Sequence, residues 1–230
     1  MHTRPTRLAR RRLPFRTALA VAALYAGAAG AVPASDPAGD FLPSYTGPRD
    51  AELDVLRVDF TYDGNTFALS STEAGPISTS SGALFVWGVD RGAGGQGFPV
   101  IAPGVLFDAV VVVNPTAGTT TVRDLISGTA TILDASSFRV AGADLTVDVP
   151  ASLLPSQGFL PAAYTANLWP RSGAGGDPVI SDFAPDNSNI AVTVTVSPAA
   201  VPEPVSVVLV ASGLVGMAAF RRRRAAPGTA

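Results

Sequence analysis

The chain has 230 residues, 47% hydrophobic and only 15% charged, which is room for one sizeable domain plus targeting segments. It has no Cys and no Lys, and its single His is His2; once the N-terminus is cleaved, Ser-His-Asp triads, cysteine nucleophiles, Ser-Lys pairs, Schiff bases and the usual zinc sites are all excluded. The net charge of −2 hides a gradient: both ends are Arg-rich, while residues 35–200 carry 15 Asp and 2 Glu against 6 Arg, a net −11 that repels phosphate and argues against nucleic acid as a partner.

Residues 1–34 read as an export signal. Six arginines from Arg4 to Arg16 precede an apolar stretch from Ala18 to Ala29, and Ala29-Gly30-Ala31 offers an A-x-A cleavage site, with a second cut after Ala34. The acids then cluster. Asp36 and Asp40 flank Pro37-Ala38-Gly39, and Asp50, Glu52 and Asp54 follow. Calcium takes several oxygens from carboxylates and backbone carbonyls, so Asp36, Asp40, Asp50 and Asp54 are candidate calcium ligands. The plainer reading is solvated acids that keep an exported domain soluble. The spacing is not that of an EF-hand loop. This opening resembles the first strand of DOMON-like sandwiches, including the family 9 carbohydrate-binding modules, over about thirty residues.

No internal segment holds a helical period. Short β-type runs recur between Gly, Pro, Asn and Asp: residues 53–60, 66–70, 84–89, 107–113, 129–133, 138–140, 145–149, 163–169 and 189–196. The alternation slips at Leu56, which predicts a bulge. Asp63-Gly64-Asn65 predicts a hairpin turn. Residues 84–89 and 107–113 are continuously apolar, as strands covered on both faces are. Residues 150–155 suit one short helical turn. The expected fold is all-β: a single antiparallel β-sandwich of about nine or ten strands over residues 35–197, held by packing alone because no disulfide is available.

Two aromatic positions sit in similar settings. Trp87 precedes Arg91 and a Gly-Ala-Gly-Gly loop, and Trp169 precedes Arg171 and another. Trp87, Arg91, Trp169 and Arg171 are therefore the candidate glycan-binding residues, with Tyr45 or Tyr164 beside them; the other fate open to both tryptophans is to fill the core. Asp182, Asp186 and Asn187 form a second oxygen-rich loop that would close on the first, or else serve as an ordinary turn.

Residues 198–204 are a Pro-rich spacer, and Pro202-Glu203-Pro204 is followed by an apolar run from Val205 to Phe220 and by Arg221-Arg222-Arg223-Arg224. Sixteen residues make a helix of roughly 24 Å, short of the roughly 30 Å hydrocarbon core, and the arginines would stay cytoplasmic. This tail, residues 201–224, resembles the PEP-CTERM sorting signal of Gram-negative bacteria. The resemblance implies processing near Pro202-Glu203-Pro204 by an exosortase, a membrane-embedded cysteine enzyme. It also implies transient residence in the inner membrane, then the cell envelope or extracellular matrix, in company with exopolysaccharide and biofilm systems.

The expected function is that of a non-enzymatic exported protein: a structural or glycan-binding module of the exopolysaccharide layer. The alternative is a polysaccharide hydrolase or lyase working through paired carboxylates, for which no particular pair stands out.

Overall fold

A computed structural model of the chain describes residues 33–195. Nearly all of the expected signal segment, the spacer and the sorting tail lie outside these residues. Among those described there is no α-helix, and no helix is long and apolar enough to cross a membrane.

Nine strands have four or more residues: β2 (Val55–Tyr62), β3 (Thr66–Glu73), β4 (Leu84–Asp90), β7 (Ala109–Asn114), β8 (Thr119–Asp124), β9 (Ala130–Leu133), β10 (Phe138–Ala141), β11 (Asp144–Pro150) and β12 (Thr165–Arg171). Five two-residue strands complete the set: β1 (Ala34–Ser35), β5 (Gly95–Gln96), β6 (Leu106–Phe107), β13 (Ile190–Ala191) and β14 (Thr193–Val194). One sheet runs β1-β2-β3-β11-β10, with β14 beside β2; the other runs β13-β12-β4-β7-β8-β9; β5 and β6 form a small ribbon. Every pairing is antiparallel except β14 with β2.

The period of two explains the core. In β3 and β11 every second residue is buried, so Phe67, Leu69, Leu145, Val147 and Val149 point one way. They join Val55, Val58 and Phe60 of β2 and, from the second sheet, Phe85, Trp87, Val89, Val111, Val113 and Leu168 in one hydrophobic cluster. Each such side chain is worth roughly 1.5–3 kcal/mol on burial, and no covalent staple adds to it. The β2–β3 hairpin turns at Asp63, whose Oδ1 accepts from the amides of Asn65 and Thr66. The bulge expected at Leu56 is present as a register shift between Val55 and Arg57.

The second sheet is covered on its outer face too. Between β4 and β7 the chain makes a long excursion, and Phe98, Ala102 and Val105 from it pack on Val86 and Trp169 together with Ile180 and Phe183. That cover is why β4 and β12 are buried almost throughout. β7 departs from expectation, because its buried residues alternate and its outward valines are only partly covered.

Two further readings need correction. Thr119–Asp124 forms β8, although Thr and a charged pair hid it among turn residues. Residues 189–196 are not one strand. Ile190–Ala191 pairs with β12 and Thr193–Val194 pairs with β2, so the chain steps from one sheet to the other at Val192, whose amide donates to the Tyr164 carbonyl.

Candidate metal centre

The acidic opening is shaped by backbone contacts before any carboxylate meets another. β1 lies against β2, and the Asp36 amide donates to the Leu56 carbonyl, which fixes Asp36 at the start of the first sheet. The chain then turns through Pro37-Ala38-Gly39. The Gly39 amide donates to both carboxylate oxygens of Asp54, at 3.0 and 2.9 Å, and this anchors the turn that carries Asp40.

From the far end of the domain comes the segment 180–187. The Ala184 amide and carbonyl both bond to Leu168 of β12, which holds the segment against the second sheet. Asp182 is 1% exposed; its Oδ2 accepts from the Val55 amide at 3.0 Å and its Oδ1 from its neighbour Phe183 at 2.8 Å. Asp186 stands exposed a turn further on.

The result is a cluster of four. Asp36, Asp40, Asp182 and Asp186 each present one carboxylate oxygen, and these oxygens all lie within 4.8 Å of one another. Asp36 Oδ2 and Asp40 Oδ1 are buried without any hydrogen-bond donor. No Arg compensates them: the ion pairs among the described residues are those of Arg91 with Asp108 and Asp124. Burial first, then repulsion from Asp182, Asp40 and Asp186, pushes Asp36 up to about 8. Burial likewise lifts Asp182 to about 7, against the pull of the Val55 amide, and raises Asp40.

An oxygen-only donor set suits a hard cation. Calcium binds oxygens at about 2.3–2.6 Å, so opposed ligands sit roughly 5 Å apart, and the 4.8 Å spread fits one such ion. The orphaned oxygens of Asp36 and Asp40 would then gain a partner.

Of the four acids singled out in the sequence, two belong to this cluster. Asp54 sits beside it and serves the Gly39 turn instead, while Asp50 is exposed ahead of the short turn Ala51–Leu53. The oxygen-rich loop supplies the other two in Asp182 and Asp186. The sequence reading passed over Glu73, which is 1% exposed with Oε2 unpartnered and its carboxyl pushed well up by burial. A signal existed, because Glu73 falls on the inward positions of β3 with Phe67, Leu69 and Ser71.

The tryptophan platforms do not survive. Trp87 is wholly buried in the main core, and Arg91 is wholly buried in an ion-pair network, so neither reaches a ligand. Arg91 Nε bonds Asp108 at 2.6 Å and its NH1 bonds Asp124 at 3.0 Å and the Pro155 carbonyl. Trp169 is 2% exposed and lies in the second cluster, on the opposite face of the sheet from Trp87, so the two loops frame no common surface. Tyr45 and Tyr164 are buried too, with their hydroxyls donating to the carbonyls of Pro48 and Leu154. Arg171 alone of the group stays partly exposed. The sorting residues Pro202, Glu203, Pro204 and Arg221 to Arg224 lie outside the described residues. No family model matches the chain, and no curated protein is significantly similar to it.

Proposed function

We propose that the chain is an exported surface or extracellular-matrix protein, sorted by its PEP-CTERM-like tail, whose domain is a calcium-dependent β-sandwich acting as a structural or glycan-binding module. The observation that carries the calcium half is the convergence of Asp36, Asp40, Asp182 and Asp186 from opposite ends of the domain. Two antiparallel sheets sharing one core support the sandwich. The sorting half rests on the sequence of residues 201–224.

Calcium that binds only the folded chain raises its melting temperature, by about 2.7 kcal/mol of stability at a hundredfold excess over Kd. The test is thermal unfolding of the purified protein in calcium and in chelator. The expected result is a higher Tm in calcium, lost in the Asp36→Asn and Asp186→Asn variants. A Tm that chelator leaves unmoved overturns the calcium reading. A glycan array run with and without calcium then tests the ligand. Binding without turnover supports the module, whereas release of reducing ends favours the carboxylate hydrolase or lyase.

A further inference from the structure

The outer face of the second sheet holds a cleft of about 360 Å³, within the range of roughly 300–1,000 Å³ typical of small-molecule sites. Its floor is the outward side of β4, β7 and β12, including Val86, Val110, Val112 and Trp169, and its walls include Phe98 and Phe107 from the excursion between β4 and β7. The lining is almost wholly apolar, with Arg171 as its one charged residue.

Two nitrogen donors at this cleft lack an acceptor. Trp169 Nε1 and Arg171 Nε are both buried and unpartnered. They stand two residues apart on β12, so strand geometry puts both side chains on one face. Trp169 is 98% buried by its 2% exposure and lines the cleft directly, with Phe98 edge-on at 4.9 Å and Phe107 at 5.0 Å between ring centroids. Among the described residues Arg171 makes no ion pair, and its other nitrogens reach only the carbonyls of Gly175 and Gly176 through NH2. Buried donors are nearly always satisfied in folded proteins, and both orphans belong to residues that line this one apolar cleft. No carboxylate among the described residues lies within ion-pair distance of Arg171, Asp177 acting on it only from further off, so an acceptor that enters the cleft is favoured when anionic.

We propose that this cleft binds an amphipathic carboxylic acid, its apolar body against the valines and aromatic rings and its carboxylate on the partly exposed Arg171 guanidinium. Sugars fit poorly, since the lining offers their hydroxyls almost nothing else to bond. Gly88 is part of the design of the site. A Cβ there would meet Trp169 Cη2 and Cζ3 at 2.6 Å, so only glycine lets the indole lie down on the sheet and leave the cleft open.

The test is calorimetric titration of the purified protein with decanoate and, separately, with decanol. Saturable binding of decanoate, about ten-fold or more tighter than decanol, is the expected result. Arg171→Met, which keeps the apolar stem, should remove that preference while leaving decanol binding unchanged. Gly88→Ala should weaken both ligands by pushing the indole into the cleft; the Tm of each variant shows that it is folded. No saturable heat with decanoate on the folded protein overturns the proposal. So does equal affinity for the acid and the alcohol, or a preference that survives Arg171→Met.

Discussion

Arg91, Asp108 and Asp124 are buried together, and each depends on the others. Arg91 also donates through NH2 to the Asp108 carbonyl, and Asp108 Oδ2 accepts from the amides of Arg91 and Ala93, so the network fixes the start of the long excursion. Removing the cation leaves two carboxylates without compensation. Arg91→Met should cost about 3–5 kcal/mol in urea unfolding, far more than truncating an exposed Arg such as Arg123. The hydrogen bond from Arg91 holds Asp124 down to about 2, below its usual 3.8. Its stabilisation is complete above the ordinary carboxylate range and fades as pH falls toward 2, so the Arg91 variant should lose that acid-side slope. The opposite sign applies at the acidic cluster. Asp36, Asp182 and Glu73 keep protons in the folded metal-free chain that the unfolded chain releases near its ordinary pKa of about 4. Stability in chelator should therefore fall as pH climbs from about 4 to 8, with Glu73→Gln shallower than the parent; a Tm that is flat or rises over this range would contradict the protonation pattern. Asp36 and Asp40 were legible as a pair because only three residues separate them. Their partners Asp182 and Asp186 were legible only as a loop, since meeting depends on how two sheets bring the ends together. Arg91 was misread for a similar reason: Asp108 and Asp124 reach it across 17 and 33 residues of chain.

At the scale of elements, two kinds of strand were visible in the sequence: those whose buried positions recur at every second residue, as in β3 and β11, and the continuously apolar run of β4. Thr-rich β8 escaped because its inward positions include Thr120, a residue that also marks turns. The last run looked like a single alternating strand, and nothing local says that its two halves serve different sheets. The loops around the cluster are sized as tightly as the strands. Gly104 lies against the loop that follows Asp186: its amide donates to Asn187 Oδ1 at 2.6 Å, and a Cβ there would meet the Asn187 carbonyl oxygen at 2.0 Å. Gly104→Ala should displace that loop and reduce the calcium-induced rise in Tm without altering any ligand. An unchanged calcium response in this variant would mean that the loop's position is unimportant to the site.

For the molecule as a whole, the first strand bears on maturation. Ala34 and Ser35 pair with Val58 and Arg57, so a cut after Ala34 would split β1, while a cut after Ala31 leaves it whole. On the proposed export route, the protein isolated from its host should begin at Val32, as its intact mass would show; a start at Ser35 would mean that β1 is dispensable, and a start at Met1 would count against the route. The carboxylates that converge lie near both limits of the described domain, Asp36 and Asp40 at one and Asp182 and Asp186 at the other. An ion bridging them would tie off nearly the entire domain as a ring, as a disulfide does elsewhere. For a loop beyond a hundred residues the chain-entropy argument puts such a tie at upwards of about 4.7 kcal/mol. Unlike sulfur chemistry, this clasp would be indifferent to oxidants and reductants and would open wherever the surroundings run short of the ion. A chain without a single Cys would thereby hold its ends together on terms set by the mineral content of its environment.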